Sequence, residues 1–328
     1  MAIARQSLSS TSKSEMGALR RLLVRAPFAA AADLRGKQAL VTGAAPGSIG
    51  YETARSLAAW GADVIITTRS DPARVVDQLR AQLASSPGHG NVHAHALDLS
   101  DRQSVETFAA WLQATHGQRL DLLINNAGIH LDLLSQWKSP KLSNDGHELH
   151  WRTNYLGTMQ LTLRLLPLLQ ATGLATGDAR VVNVVSMLHS KGSNAALFEP
   201  AQPYNSWTAY GTSKLALIHA TTELQRRHFG SHHLQAYCLH PGAVYTNIAD
   251  KGLSGNPRLE AIRRFFAPVE RFFLLSPLEG AQTTLHCATA KQARGGLYYR
   301  NCAVSPSSPD STDAFVAARL WAQTEAWL

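Results

Sequence analysis

The sequence predicts an α/β protein, a doubly wound parallel sheet in a single domain. Three observations carry that expectation. Short continuous runs of Val, Ile and Leu alternate with helix-length amphipathic segments, as a sheet covered on both faces requires. A glycine-rich turn stands directly between the first such run and the first helix. No period of about 20–50 residues repeats, which excludes a solenoid, and no linker divides the core.

Taken in order, "QALVT" (38–42) reads as a buried strand and "IGYETARSLAAWG" (49–61) as a helix closed by Gly61. "DVIITT" (63–68) is a second strand, "ARVVDQLRAQLA" (73–84) a helix, and "NVHAHALD" (91–98) a third strand. "RQSVETFAAWLQATHG" (102–117) is helical, and "LDLLINNAG" (120–128) is a strand with its turn. The long apolar pattern over 148–172 predicts a helix that Pro167, lacking an N–H, should kink. "ARVVNVVS" (179–186) is a strand, "YGTSKLALIHATTELQRRH" (210–228) a helix, and "LQAYCLHPG" (234–242) a strand entering a loop.

With 45% hydrophobic and 16% charged residues, the 328-residue chain has the composition of a folded globular protein. Its net charge of +8 raises the question of nucleic acid, so the position of the charge matters. Residues 1–36 hold Arg5, Lys13, Arg20, Arg21, Arg25 and Arg35 against Glu15 and Asp33, half of the excess in a basic N-terminal extension. The remainder is scattered, with no basic run interleaved with aromatics, so no nucleic-acid partner is expected. The extension lacks the apolar run of a signal peptide or an integral membrane span. It is rich in Arg and Ser, which also fits a mitochondrial transit peptide. "ALRRLLVRA" (18–26) suits a short amphipathic helix resting on a membrane surface or, more simply, docked on the domain. Three dispersed cysteines without CxxC spacing point to a reducing, cytoplasmic setting and argue against a metal site.

The glycine turn is "TGAAPGSIG" (42–50). It matches neither GxGxxG nor a P-loop. Its position, at the carboxyl end of the first strand, is where a doubly wound sheet binds ligands, and its small residues would let the backbone approach a pyrophosphate. An ordinary strand–helix turn is the competing reading. After the second strand, Thr68 stands where an NAD-binding sheet places an acid, and Arg69 follows, which suits the 2′-phosphate of NADP. A surface arginine without a ligand is the alternative. In "YGTSK", Tyr210 and Lys214 are four apart and share a helical face. An ammonium there favours the phenolate of a group whose reference pKa is about 10. Alone, the pair is equally an ordinary helix-surface pair.

Together these features resemble the short-chain dehydrogenase/reductase family from about residue 37 onward. The resemblance rests on the glycine turn, "LDLS" (97–100), "NNAG" (125–128), "RTNYLG" (152–157), "VVNVVS" (181–186), "YGTSK" (210–214) and "HPGAVYT" (240–246), in the family's order. "DGHELHWRTNYLG", "NVVSMLHSKG" and "SPLEGAQTTLHCA" are most similar to its retinol-dehydrogenase-like branch. The resemblance implies a Rossmann-like fold and a role for each matching residue. Tyr210 would be the general acid/base, Lys214 would lower its pKa and bind the nicotinamide ribose, and Ser186 would hold the substrate carbonyl. Asn154 would position a helix and a water of the proton relay. Gly43, Gly47, Ser48, Ile49 and Gly50 would surround the pyrophosphate, with Arg69 at the 2′-phosphate. Asp98 and Leu99 would border the adenine, with Asn125 and Ala127 following the central strand. Pro241, Gly242, Val244 and Thr246 would line the nicotinamide.

Three departures stand out. Ser48 adds a residue before the last glycine of the family's usual TGxxxGxG; Val185 stands where a second serine is frequent; and 24 residues separate Ser186 from Tyr210, so the intervening segment must bulge, expected at the substrate mouth. His189, three residues after Ser186, lies near the expected pocket, although a core or surface role is the simpler reading for each of the fourteen histidines. The segment 247–276, with Phe265, Phe266, Phe272 and Phe273, is expected to be the substrate lid, or a helix packed on the core or between subunits. The implied activity is an NADP(H)-dependent oxidoreductase, with NADP(H) favoured over NAD(H), interconverting a lipophilic ketone or aldehyde and its alcohol. A non-catalytic dinucleotide-binding redox sensor or scaffold is the rival. The intact set of Asn154, Ser186, Tyr210 and Lys214 argues against it, since a sensor needs no proton donor. A homo-oligomer is compatible with either.

Overall fold

The computed structural model describes residues 27–69, 71–199, 201–244 and 274–328. Among these, eight strands form one sheet: β1 (Gln38–Val41), β2 (Asp63–Thr68), β3 (Val92–Ala96), β4 (Leu122–Asn125), β5 (Ala179–Val184), β6 (Leu234–His240), β7 (Tyr298–Arg300) and β8 (Ala303–Val304). Their order is β3-β2-β1-β4-β5-β6-β7-β8, and every neighbouring pair is parallel except β7–β8. The helices are α1 (Ile49–Ala59), α2 (Pro72–Leu83), α3 (Arg102–His116), α4 (Gly157–Thr176), α5 (Ser206–His232), α6 (Pro277–Thr289) and α7 (Ala314–Trp327).

Alternation along each strand splits the core into two layers. Leu40, Leu123 and Val181 face one side, where α3, α4, α5 and α7 pack. Val41, Ile124 and Val182 face the other, under α1, α2 and α6. The predicted doubly wound architecture is therefore the one observed. The chain reverses its direction of travel between β1 and β4, and the carboxyl ends of those strands leave a crevice at the switch point.

Local chemistry sets the helix ends. Ser48 caps α1 by accepting from the Tyr51 N–H, and Asn205 caps α5 by accepting from Trp207 and Thr208. That second cap starts α5 four residues before Tyr210 rather than at it, so the tyrosine sits inside a formed helix. β3 stops at Ala96, short of the predicted end, because Asp98 folds back to accept from Ser100. The helix expected over 148–172 is α4 with a π-helical entry turn at Trp151–Leu156, and it continues through Pro167. β7, β8, α6 and α7 answer no sequence assignment.

Residues 27–36 run against the body of the domain. The Leu34 N–H donates to the Trp60 carbonyl (2.8 Å), and the Ala29 N–H donates to Gln282 Oε1 (3.0 Å). The expected helix at 18–26 lies outside the described residues. No helix among the described residues is long and apolar enough to cross a membrane.

Candidate active site

The glycine turn is pinned by three strands. The Gly43 N–H donates to Thr67 Oγ1 (3.4 Å) and the Ala44 N–H to the Thr67 carbonyl (2.9 Å), both on β2. From β4, Asn126 Nδ2 donates to the carbonyls of Thr42 (2.8 Å) and Gly43 (3.2 Å). Thr42 Oγ1 in turn accepts from the N–H groups of Asn126 and Ala127, at 3.0 Å each. This lacing explains the glycines. A Cβ on Gly43 would stand 2.8 Å from Ala127 Cα, and one on Gly50 would stand 2.4 Å from Asn126 Nδ2 and 2.8 Å from the Gly43 carbonyl. Gly43 and Gly47 have φ of +70° and +75°, and the space where a Gly47 side chain would be is open. An open glycine at the N-terminus of α1 fits the pyrophosphate of a dinucleotide. The additional residue, Ser48, accepts as the α1 cap and its hydroxyl lies 3.3 Å from the Gly43 carbonyl, so it closes the turn from within.

Arg69 and Asp98 meet beyond the ends of β2 and β3, with Nη1 and Oδ2 4.0 Å apart, and both side chains keep solvent access. The Leu99 side chain is buried in the core, and its carbonyl presses on Gly157. Asn125 is likewise internal, donating to Thr162 Oγ1 (3.0 Å) and Asn183 Oδ1 (2.9 Å) between β4 and β5. The residue of that pair which faces the cradle is Asn126. The Ala127 N–H is tied to Thr42, and Ala127 borders the crevice. Beyond β6, Val244 packs with Ile49 over Gly280, and Gly242 has φ of +92° with Leu275 against it. Pro241 precedes them, half-buried. Thr246, and the expected lid as far as residue 273, lie outside the described residues.

Asn154, Ser186, Tyr210 and Lys214 converge at the carboxyl ends of β4 and β5. Asn154 is fully buried in the π turn, a departure from α-helical geometry that is frequent at functional sites. Its amide clamps Ile129, accepting from the N–H (2.7 Å) and donating to the carbonyl (2.9 Å). It also donates to Ser213 Oγ (3.1 Å), which donates to the Tyr210 carbonyl (2.7 Å), so one side chain ties the "NNAG" loop to α5. Lys214 is buried, its Nζ donating to the Val184 carbonyl (3.0 Å) and lying 5.8 Å from the Tyr210 ring centre. A Cβ on Gly128 would sit 3.1 Å from that Nζ and 3.3 Å from Asn154 Oδ1, so a side chain there would press on both groups.

Burial dominates the electrostatics. Desolvation pushes Tyr210 up to about 12, opposed by a hydrogen bond with Ser186. The same cause pulls Lys214 down to about 8. Ser186 itself caps a 3₁₀ turn, accepting from the Leu188 N–H (3.2 Å). His189 is a strut rather than a pocket wall. Its Nε2 accepts from the Ser308 N–H (2.9 Å), leaving Nδ1–H to donate to the Ser186 carbonyl (2.6 Å).

The segment between Ser186 and Tyr210 docks on the C-terminal region. The Asn194 N–H donates to Asp310 (2.9 Å), Asn194 Oδ1 lies 2.9 Å from His219 Nε2, and Arg319 covers the Phe198 ring. With Trp151, Thr208, Thr212 and Trp327 it encloses a cavity of about 320 Å³. That cavity is on the face of α5 opposite Tyr210, two residues away in either direction, and contains none of the four converging residues.

Sequence reasoning missed Asn126, Ser213 and His130, whose ring lies on that of Tyr210. "NNAG" signalled the first, but only strand parity decides which asparagine faces the crevice. Nothing in the sequence brings His130 to Tyr210. Among the described residues, no three His, Cys, Asp or Glu side chains converge to hold a metal.

The family described as short chain dehydrogenase matches residues 37–256. Human retinol dehydrogenase 11 is 33% identical over 92% of this chain and 89% of its own length, and human retinol dehydrogenase 12 is 36% identical over 88% and 85%. Mouse polyprenol dehydrogenase is 34% identical over 88% of this chain and 82% of its own length. Among solved structures, an uncharacterised protein from Mycobacterium paratuberculosis superposes with a TM-score of 0.65 at 31% identity, covering 92% of this chain and 97% of that one. The Pseudomonas aeruginosa RhlG–NADP complex superposes with a TM-score of 0.59 at 26% identity, covering 81% and 94%. A laced glycine turn at the switch point, a Tyr–Lys pair beside it with the lysine buried, and these likenesses agree: the chain belongs to the short-chain dehydrogenase family of oxidoreductases, on its retinol-dehydrogenase-like side.

Proposed function

We propose that the protein is an NADP(H)-dependent oxidoreductase that interconverts a lipophilic aldehyde or ketone and its alcohol. The convergence of Asn154, Ser186, Tyr210 and Lys214 beside the open glycine turn carries this reading. A nicotinamide dinucleotide held by Gly43, Gly47, Ile49, Gly50 and Arg69 would supply or accept the hydride. The protein's own part is the proton and the field. Ser186 Oγ holds the substrate oxygen, and Tyr210 Oη gives it a proton in reduction or takes one in oxidation. The buried Lys214 ammonium lowers the cost of the phenolate, in a site dry enough for that charge to count. Asn154 keeps the loop and α5 in register while the proton moves.

Arg69 and the absence of an acid at Thr68 support the preference for NADP(H). The retinol and polyprenol dehydrogenases among the relatives support a lipophilic substrate. The test is titration of the purified protein with NADPH and NADH by nicotinamide fluorescence, for wild type and Arg69→Ala, followed by turnover of retinol and of a long-chain aliphatic aldehyde. NADPH should bind more tightly, and Arg69→Ala should erase the difference. Tyr210→Phe should lose roughly 10²–10⁴-fold in kcat with cofactor binding retained. Binding of neither cofactor, or full activity in Tyr210→Phe, would overturn the proposal.

A further inference from the structure

His130 follows the "NNAG" turn by two residues and stacks face to face on the ring of Tyr210, with centroids 4.1 Å apart and planes at 14°. Trp207 also meets the imidazole, edge-on at 4.7 Å, so two aromatics of α5 contact the histidine. It is 6% exposed, and its Nε2 is buried without a hydrogen-bond partner. A buried polar atom left unpaired is costly, so an apolar ring would be the cheaper filler at this place.

The loop carrying His130 is clamped on both flanks. Asn154 holds Ile129 on one side, and on the other the Leu131 N–H donates to His150 Nε2 (3.0 Å). His150 Nδ1–H therefore donates to Glu148 (2.7 Å), and that imidazole is fixed. Next, Asp132 adopts a left-handed φ of 55°, and its carboxylate accepts from the Gln136 and Trp137 N–H groups (2.7 and 2.9 Å). Ser206 and Trp207, on the catalytic helix itself, donate to the carbonyls of Asp132 (2.8 Å) and Leu133 (3.2 Å). A strained residue held by this many bonds marks a loop whose shape is over-determined. What it fixes is the plane of His130 against Tyr210.

We propose that His130 is a positioning residue for the reaction: its stacked ring fixes the plane of the Tyr210 phenol toward Ser186 and keeps water off one face of it. This rests on the oxidoreductase reading above. The groups facing the pair are His150 before α4, Lys214 on α5, Asp132 in the loop and Ser186 after β5. Burial, with His150 and Lys214 adding to it, pulls His130 down to about 4, so the ring is neutral at the pH of turnover. Desolvation is what raises Tyr210, so removing the cover admits water and moves the tyrosine's titration toward acid.

The experiment compares wild type, His130→Ala and His130→Phe with NADPH and the long-chain aldehyde, or NADP and retinol, reading kcat, KM and the pH profile of kcat. His130→Ala should lose about 10–100-fold in kcat, within the range assigned to misplaced reacting groups. Its kcat profile should shift to lower pH, with NADPH affinity within a factor of about two of wild type. His130→Phe restores a stacked, water-excluding ring and should recover kcat to within a few-fold, with the wild-type pH profile. Unchanged kcat and profile in His130→Ala would overturn the inference, and so would a His130→Phe as impaired as the alanine, because the imidazole nitrogens would then be what matters. An inert wild type would overturn the oxidoreductase reading together with this one. An active wild type with indifferent His130 variants sinks this one alone.

Discussion

Gly43 and Gly47 look interchangeable in the sequence, since both sit in one turn and both have positive φ, yet their surroundings differ. Gly43 is pressed against the Ala127 backbone, whereas Gly47 faces open space. Gly47→Ala should therefore cost only the strain of a left-handed residue, roughly 1–2 kcal/mol, while losing cofactor affinity, since the new methyl would enter the space proposed for the pyrophosphate. Gly43→Ala carries the same strain plus a backbone clash, so it should cost more stability and also lose cofactor affinity by about tenfold or more. Urea unfolding and NADPH titration of both variants check this. Equal stability losses would mean that the Ala127 contact relaxes freely. Burial also decides the roles of neighbouring residues that the sequence treats alike. Asn125 turns into the sheet toward Asn183, and Asn126 turns out to the carbonyls of Thr42 and Gly43.

Among the elements, β1 to β6 and α1 to α5 are legible because each carries an apolar period, while the caps at Ser48, Asp71, Asp101 and Asn205 set where the helices begin, Asn205 drawing the start of α5 to Ser206, ahead of the expected Tyr210. β7 is three residues long and β8 two, too short for any period to register; pairing with β6 makes β7 a strand. The π turn at Trp151–Leu156 is equally silent in the sequence, since its residues continue the helical apolar pattern. α7 is amphipathic, and its burial is a tertiary fact. Leu320 and Trp321 enter the layer beneath α5, Thr324 Oγ1 lies 2.6 Å from the buried Tyr155 hydroxyl, and Trp327 meets Trp151 edge-on. The helix braces α5 from behind. Trp321→Ala should accordingly cost about 3–5 kcal/mol in urea unfolding, with NADPH affinity unchanged at temperatures where the variant is folded. A large loss of affinity at full folding would mean that α7 shapes the cofactor crevice.

At the scale of the molecule, the strand order brings the described site residues that face the crevice to the carboxyl edge of one sheet, which is why motifs more than a hundred residues apart in sequence lie together. The architecture was readable because it is carried by local patterns, and the four converging residues because they stand in the motifs on which the family resemblance rests. The substrate-side detail was not, because it depends on how the 129–137 loop and the segment after Ser186 fold against other parts of the chain. The same topology makes a global prediction. The glycine turn is bonded to β1, β2 and β4, so the cofactor site disappears when the sheet unfolds, and a ligand held there must stabilise the whole domain. NADPH at about a hundredfold over its Kd should add about 2.7 kcal/mol to the unfolding free energy, and NADH at the same concentration should add less where Arg69 selects the 2′-phosphate. Gly43→Ala, binding about tenfold more weakly or worse, should cut the NADPH gain to about 1.4 kcal/mol or less at the same concentration and shrink the NADH gain likewise. The urea midpoint, read with and without each cofactor, decides the matter. A wild type that gains nothing would mean that the turn does not hold a dinucleotide, and an undiminished gain in Gly43→Ala would mean that the cofactor sits elsewhere in the crevice.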